Sequence, residues 1–301
     1  MTDQKDPLVE FSNALVARTE TARNAVAAIR LGHGRHVTGI LWPGGVVVAS
    51  EQALPGREED FELVGPGGAT VASRIAGRDP STNIAILKPL EIMAAPAIGS
   101  AGQARAGAIA LAVGADGTGG ASARLGIVNR AGPEWHSIRG GLIDQRIVLD
   151  LRLAHREEGG PVLDASGLCL GMSTFGPRGQ VIVIPTATIE RIVPLLLKDG
   201  RVARGWLGVA LQAVAVPDAL RESSDQSSGL MVMSVVEGGP AAQAGIVAGD
   251  IILSVDGTPA HRFRRIARHF GSESIGRKSE VRLIRSGAVN TVQVTIAERR
   301  T

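Results

Sequence analysis

Short apolar runs, separated by residues typical of turns, recur along the first two-thirds of the chain. Runs rich in β-branched side chains and bounded by Gly, Pro, Asp or Asn are typical of strands. They predict strands at residues 37–42, 46–50, 61–64, 70–75, 84–87, 108–113, 123–128, 147–153, 162–163, 168–173 and 181–184. Short strands at this spacing predict a β-sandwich or a β-barrel.

Two segments show helical periodicity instead. Residues 7–29 place Leu8, Phe11, Leu15 and Val16 at helical spacing, which predicts an N-terminal amphipathic helix. Its apolar stripe is either a contact in an oligomer or a surface that packs on its own domain. A second helix is predicted over residues 188–198, with the glycine after Asp199 as its stop signal.

Composition supports a mostly β protein of two domains. The chain has 301 residues, 39 of them glycine, and 44% are hydrophobic. Its 32 basic and 29 acidic side chains give a net charge of only +3, which does not indicate nucleic-acid binding. Residues 203–301 carry 12 of the basic and 9 of the acidic side chains, so the whole excess lies in the C-terminal part.

The single cysteine and the N-terminal residues give expectations about the cellular compartment of the protein. Cys169 lies in an apolar run, cannot form an internal disulfide and is predicted to be a buried, inert thiol. The polar start of the chain lacks the order of a signal peptide, and no run reaches 18 apolar residues. We expect no membrane span and a cytoplasmic location for the sequence as written, or a periplasmic one if the true N-terminus is longer.

Three separated segments resemble, in the correct order, the HtrA (Deg) family of trypsin-like serine proteases. Residues 46–54 are similar to the segment around the catalytic histidine, with Gln52 in its place, and residues 77–88 to the aspartate segment, with Asn83 in its place. Residues 150–161 resemble the serine loop, with Glu158 for serine, and here Arg156 replaces a glycine of the turn that forms the oxyanion hole. The resemblance implies a trypsin-like double β-barrel whose three triad positions are all replaced.

The replaced triad predicts a protein without peptidase activity. An ionised glutamate has no proton to give up and cannot act as the activated alcohol. We therefore expect a catalytically inactive adaptor or regulatory subunit, and not an enzyme. The alternative is an active HtrA-like serine endopeptidase with an unorthodox site that uses another hydroxyl, such as Ser50 or Ser173. We also expect Gln52 to donate a hydrogen bond to Glu158 and to accept one from Asn83.

The C-terminal part resembles a PDZ domain of the HtrA type, on residues 205–209 and 240–257. The resemblance implies that backbone amides at Leu207, Gly208 and Val209 bind a peptide carboxylate and that the strand from Val209 to Leu211 pairs with the peptide. The predicted peptide-binding residues are Trp206, Leu207, Gly208, Val209, Leu211 and Arg204. The groove is alternatively empty or self-occupied, and Arg204 is alternatively a solvated linker residue.

A segment at residues 261–270 places Phe263, Ile266 and Phe270 on one face, like the helix beside the PDZ groove. Its arginines form either a merely solvated face or one that favours acidic ligands. Neither Glu157, Glu158 and Asp164 nor the scattered histidines have the spacing of a metal site, so no metal and no cofactor are expected.

We expect three parts, at residues 1–26 (helical segment), 27–200 (protease-like domain) and 201–301 (PDZ domain). The expected partners are C-terminal or unfolded peptide segments. The resemblance also implies a homotrimer or a mixed assembly with active HtrA-like proteases.

Overall fold

The computed structural model describes residues 6–93 and 98–298, except for the side chain of Arg264. Its contacts divide the chain into two compact units. The first contains residues 1–135 and 143–202, and the second contains residues 136–142 and 203–301.

The first unit begins with a closed six-stranded antiparallel barrel. Its strands are β1 (Val26–Arg30), β2 (His36–Trp42), β3 (Val46–Ser50), β4 (Asp60–Val64), β5 (Thr70–Asp79) and β6 (Ile84–Pro89). They pair in the order β1-β2-β3-β6-β5-β4 around the barrel. The side chains of Ile29, Val47, Leu63 and Leu87 are buried together inside it.

A second closed barrel follows. Its strands are β7 (Ile109–Ala115), β8 (Ala121–Gly132), β11 (Arg146–Asp150), β12 (Pro161–Leu163), β13 (Cys169–Phe175) and β14 (Val181–Pro185), in the order β11-β14-β13-β12-β7-β8. A small two-stranded sheet, β9 (Trp135–His136) and β10 (Leu142–Ile143), lies between β8 and β11 in sequence. The predicted trypsin-like double barrel is therefore confirmed.

One apolar cluster joins the two barrels. Ile40 and Ile86 of the first barrel pack with Met172 and Ile184 of the second and with Ile192 of a covering helix. This helix, α2 (Thr186–Asp199), ends at Gly200, which takes the left-handed conformation and donates its amide to the Leu196 carbonyl. The predicted glycine stop is confirmed.

The N-terminal helix is shorter than predicted. Helix α1 spans Pro7–Arg23, with the Asp6 carboxylate accepting from the Leu8 amide as its N-cap. The prediction of a helix to residue 29 is wrong, because Val26–Arg30 pairs with both β2 and β4 and closes the first barrel. Of the predicted apolar stripe, only Leu15 packs on the barrel core, whereas Leu8, Phe11 and Val16 are exposed.

The second unit is an α+β domain built around a six-stranded sheet. Five of the strands follow one another across the sheet, and the sixth pairs only with the middle one. In spatial order the five are β16 (Val209–Ala215), β17 (Ser228–Val235), β18 (Ile251–Val255), β20 (Lys278–Arg285) and β21 (Ala288–Thr295). Strand β19 (Thr258–Pro259) pairs with β18, and β15 (Gly205–Trp206) pairs with β22 (Ala297–Glu298). The helices are α3 (Asp218–Ser224), α4 (Pro240–Gln243) and α5 (Phe263–Ile266). Strand β16 lies at the edge of the sheet.

Candidate functional site

The three side chains at the triad positions meet in the first unit. Gln52 lies on a 3₁₀ turn directly after β3, and Asn83 precedes β6 with a left-handed backbone at φ 61°. Glu158 follows a 3₁₀ turn formed by His155–Glu157. The first barrel supplies two of the side chains and the second barrel supplies the third.

The carboxylate of Glu158 is held by several neutral donors. Its Oε1 accepts from Gln52 Nε2 at 2.7 Å, from Thr174 Oγ1 at 2.8 Å and from Ser50 Oγ at 2.9 Å. The Phe175 amide adds a longer hydrogen bond of 3.3 Å. Glu158 is only 5% exposed, so its desolvated charge depends on these neutral groups.

Asn83 connects the donors from the other side. Its Nδ2 donates to Thr174 Oγ1 at 2.7 Å and to Ser50 Oγ at 3.1 Å, while its Oδ1 accepts from the Gln52 backbone amide at 2.8 Å. The predicted hydrogen bond from Gln52 to Glu158 is confirmed. The predicted donation from Asn83 to the Gln52 side chain is wrong, because the Asn83 amide group turns to the two hydroxyls.

Sequence reasoning missed Thr174 and named Ser50 only as an unplaced hydroxyl. Both side chains are buried and both donate to Glu158. Ser50 ends β3 inside a resembling segment, which is a usable signal, whereas Thr174 directly follows Ser173 in β13, so its position alone does not single it out. Ser173, the other hydroxyl considered, donates instead to the Glu157 carbonyl.

The neighbouring Glu157 is held by different partners. Its carboxylate pairs with Arg124 Nε at 3.0 Å and accepts from Ser122 Oγ at 2.9 Å and from the Ala154 amide at 2.7 Å. Glu157 is 2% exposed, whereas the Arg124 side chain is 45% exposed. This carboxylate therefore fixes the turn before Glu158 to strand β8.

The turn itself contains Arg156 without backbone strain. Arg156 lies in the 3₁₀ turn and outside the left-handed region, and its carbonyl accepts from Thr38 Oγ1 at 2.7 Å. The Glu158 amide donates to the His155 carbonyl at 3.2 Å. Gly159 has φ 92°, and a Cβ there would lie 2.1 Å from the Thr38 carbonyl oxygen, so glycine is required.

Asp164 lies apart from this centre. Its Oδ1 accepts from Ser166 Oγ at 2.6 Å, from the Ser166 amide at 2.8 Å and from the Leu168 amide at 3.0 Å, which closes its own turn. Within residues 6–93 and 98–298, no group of three His, Cys, Asp or Glu side chains could hold a metal ion.

Cys169 is 2% exposed at the start of β13. Burial raises the pKa of its thiol to about 12. A thiol with such a pKa stays protonated near neutral pH and is a poor nucleophile, which agrees with the predicted inert role.

In the second unit, the loop from Trp206 to Val209 contains a glycine in the left-handed region. Gly208 takes φ 79°, and a Cβ there would lie 3.2 Å from the Trp206 ring. The carbonyl oxygens of Leu207 and Gly208 accept from the Ala241 and Val236 amides, both at 2.8 Å, and so are held in the fold. The Leu207 side chain is buried in the core, so only its backbone is left to contact a ligand.

The other predicted peptide-binding residues lie on or near the edge strand. Val209 and Leu211 are half-buried on β16 and pack on the cluster that contains Ile266 and Phe270. Arg204 is half-buried just before β15. Phe263 is 48% exposed and its ring is stacked on that of Phe270, with centroids 6.5 Å apart.

Comparisons with known proteins support the resemblance. A trypsin-like peptidase domain model matches residues 37–172 and a PDZ domain model matches residues 205–296. A probable periplasmic serine endoprotease, DegP-like, from Brucella suis is 31% identical over 294 residues, which cover 93% of this chain and 56% of the relative. A protein of the same name from Pseudomonas putida is 29% identical over 231 residues, covering 74% of this chain and 48% of the relative.

The chain belongs to the HtrA (Deg) family. A serine endoprotease from Yersinia pestis matches with a TM-score of 0.70 at 26% identity, over 96% of this chain and 98% of that one. The HtrA-type protease AlgW with a decapeptide matches with a TM-score of 0.71 at 23% identity, over 97% of this chain and 99% of that one. This chain spans only about half of the length of the DegP-like relatives.

These findings contradict the prediction that the chain is not an enzyme. The relatives are named serine endoproteases and the solved neighbours are HtrA-type proteases, which points to a protease. The prediction gave little weight to other hydroxyls because no histidine matches the position of a base, whereas the structure places the hydroxyls of Ser50 and Thr174 against the Glu158 carboxylate. In the described part of the chain, no helix is both long and apolar enough to cross a membrane.

Proposed function

We propose that this chain acts in HtrA-type proteolysis and recognises its peptide or protein partners through the PDZ domain. The observation that carries the proposal is the loop from Trp206 to Val209, with Gly208 in the left-handed conformation beside the edge strand β16. Two of the matching structures are HtrA-type proteases with a decapeptide and a tripeptide.

The chemistry of binding follows from the backbone. Successive amides in such a loop form a concave donor site for an anion, and a peptide carboxylate is an anion with an extended chain attached. The unpaired edge of β16 adds main-chain hydrogen bonds to that chain. The amides of Leu207, Gly208 and Val209 would bind the terminal carboxylate, while Val209 and Leu211 would contact the last side chains.

The test compares peptides that end in a free carboxylate or in an amide, measured by calorimetry on the full chain. We expect the amide form to bind more weakly and Gly208→Ala to weaken the acid form, because a Cβ at φ 79° is strained and meets the Trp206 ring. Gly276→Ala is the matched control, since Gly276 has φ 81° with open space around its Cβ position. Equal affinity for both peptide forms would refute the nest.

An adaptor role follows from the same binding site, and we propose that the chain assembles with itself or with other HtrA-type proteases. The exposed apolar side chains of α1, Leu8, Val9, Phe11 and Val16, support an assembly contact. Sedimentation equilibrium should show species larger than a monomer, and Leu8→Glu/Phe11→Glu should reduce them. A monomer at every concentration contradicts this part of the proposal. We also propose a periplasmic location, which the name of the Brucella suis relative supports.

A second candidate function is an endopeptidase with an unorthodox centre, which the relatives' names favour. The observation that supports it is the 2.9 Å hydrogen bond from Ser50 Oγ to Glu158 Oε1. In this mechanism the Glu158 carboxylate takes the proton of Ser50 as Oγ attacks the peptide carbonyl, and then returns it to the leaving amine. Water then attacks the Ser50 ester and gives a proton to Glu158, which returns that proton to Oγ as the acid product leaves. Ser50 is 1% exposed, so the centre must open before substrate can reach Oγ.

Turnover of an unfolded protein substrate tests this candidate. Ser50→Ala and Glu158→Gln should each abolish hydrolysis, whereas Ser166→Ala, at a surface turn, should leave it unchanged. Thr174→Val tests whether the nucleophile is the other hydroxyl that donates to Glu158. If Ser50 is the nucleophile, this variant should keep measurable hydrolysis. Wild-type turnover no greater than that of Ser50→Ala, Glu158→Gln and Thr174→Val would eliminate this centre as the source of hydrolysis.

A further inference from the structure

The second unit contains an open cleft of about 790 Å³ at the far end of the edge strand. One wall is formed by Ala213–Ala215, the last residues of β16, together with Ser227 and Ser228. The other wall is formed by His261 and Arg262, which precede α5, and by Arg265 within it. Ala213 and Ala215 are exposed and small, so they leave room beside the strand.

The lining of this cleft has only one sign of charge. Arg262 and Arg265 are exposed, and among the described residues no carboxylate lines the cleft. Within residues 6–93 and 98–298, neither arginine forms an ion pair, in contrast to Arg285, which binds Asp250 at 2.6 Å. Two guanidinium groups without a carboxylate partner can each bind one carboxylate through two parallel hydrogen bonds.

The direction of an added strand fixes what reaches the cleft. A peptide whose carboxylate lies at Leu207–Val209 and whose chain pairs antiparallel with β16 must run back along the strand towards Ala215. The span from Val209 to Ala213 is four residues, or about 13 Å of strand. Side chains about four to six positions before the carboxylate therefore enter the basic cleft.

We propose that this PDZ domain selects peptides that carry Asp or Glu about four to six residues before a free C-terminus. Arg262 and Arg265 are the specificity determinants, and the terminal carboxylate and the upstream acidic side chains are read at two separate places. This inference rests on the proposed function, because the nest at Leu207–Val209 sets the register of the peptide. Charge complementarity is the basis of the selection, since the cleft offers fixed positive charge and small side chains rather than an apolar pocket.

The experiment measures fluorescence anisotropy of labelled decapeptides with the full chain. The peptides share their last three residues and carry two Glu, two Gln or two Lys at the upstream positions. We expect the order Glu, Gln, Lys from tightest to weakest, with about two- to fivefold between Glu and Gln for each exposed charge pair. The difference should shrink at high salt.

Arg262→Gln/Arg265→Gln is the decisive variant. It should bind the Gln peptide as the wild type does and bind the Glu peptide no better than the Gln peptide. Arg277→Gln is the matched control, because Arg277 is exposed on the same unit and does not line the cleft, so this variant should keep the full preference. Circular dichroism verifies that both variants fold.

The outcomes separate the two proposals. If acid and amide peptides differ but Glu and Gln peptides bind equally, the acidic selection is wrong and the nest stands. If the Glu preference persists in Arg262→Gln/Arg265→Gln, the arginines are not its origin and the inference is overturned. If an oligonucleotide binds with the same arginine dependence and more tightly than the Glu peptide, the cleft is a general polyanion site and the inference is also wrong. If no peptide binds, both proposals are wrong.

Discussion

Glu157 and Glu158 are neighbours in sequence, and both are buried, but their surroundings differ in kind. Glu157 has a cationic partner, Arg124, whose other face meets solvent. Within the described part of the chain, Glu158 has no cationic hydrogen-bond partner and is held by an amide side chain, two hydroxyls and a backbone amide. The comparison shows that this fold buries carboxylates in two ways. One uses an ion pair at the barrel surface, and the other uses neutral dipoles between the barrels.

The largest effect is expected where the neutral network is replaced altogether. Gln52→His/Asn83→Asp/Glu158→Ser restores the side chains of the family's triad but keeps the turn in which the Glu158 amide donates to His155. Adding Arg156→Gly should raise hydrolysis of an activated ester by about a hundredfold, because one oxyanion donor contributes about that much to the rate.

The two revertants are compared on the same ester, with Arg152→Gly added to the triple variant as a control for a glycine at another exposed arginine of the same loop. A triple variant that is already as fast as the quadruple one would show that Arg156 leaves the oxyanion donors correctly placed.

The next effect concerns the ion pair. Arg124→Gln should lower the free energy of unfolding of the first unit by about 2 kcal/mol, because it leaves the Glu157 charge buried without its cation. Arg130→Gln, an exposed position on the same strand, should change it by less than about 0.5 kcal/mol. Urea unfolding measures both, and equal effects at the two positions would mean that Glu157 does not need Arg124.

Removing the charge of Glu158 should have a smaller effect. Glu158→Gln keeps the length of the side chain and no cation loses its partner, so we expect a loss of about 1 kcal/mol or less, the size of one or two imperfect hydrogen bonds. The same urea experiment measures it. A loss as large as that of Arg124→Gln would show that the neutral donors depend on the negative charge as strongly as a cation does.

The smallest expected effect is a pH dependence of the stability of the PDZ domain. There Asp250 and Arg285 form an ion pair like that of Glu157 and Arg124, a buried carboxylate with a partly exposed arginine. Burial raises the pKa of Asp250, but the hydrogen bonds from Arg285 and the Val247 amide outweigh it and hold the pKa below its usual value. A lowered pKa stabilises the fold above the unfolded value of about 4, and this contribution is lost as the pH falls through the folded value. Asp250→Asn should remove this contribution to the pH dependence of stability.

Hydrogen exchange of the β18 and β20 amides follows the second unit by itself. The free energy of opening should be larger for the wild type than for Asp250→Asn. This difference should be constant above about pH 5 and should shrink below about pH 4. A difference that grows on acidification would contradict the sign of the shift.

The parts that sequence predicted best are those where pattern and tertiary structure agree. The alternation and the turn residues located most barrel strands, and Gly200 located the end of α2. The sequence misled at Val26–Arg30, because alanine-rich apolar residues fit a helix as well as a strand, and pairing with β2 and β4 decides the matter. The PDZ elements α3 and β17 were not predicted, since no motif marked them.

The candidate site could be predicted only as far as single segments resembled a family. The hydrogen bond from Gln52 to Glu158 followed from side-chain length. The roles of Ser50 and Thr174 did not, because they lie 124 positions apart in sequence and meet only when both barrels are closed. The Arg124 partner of Glu157 was likewise invisible, since strand β8 carries several exposed side chains with no pattern that singles one out.

The buried thiol of Cys169 can be used to measure how often the second barrel opens. It is the single cysteine of the chain, it is 2% exposed, and its pKa of about 12 keeps it protonated in the closed fold. An alkylating reagent therefore reacts at a measurable rate only when β13 separates from its neighbours and the thiol recovers its ordinary acidity. Mass spectrometry after timed alkylation would therefore measure the rate at which β13, the strand that contains Thr174, becomes exposed. No label has to be engineered into the protein.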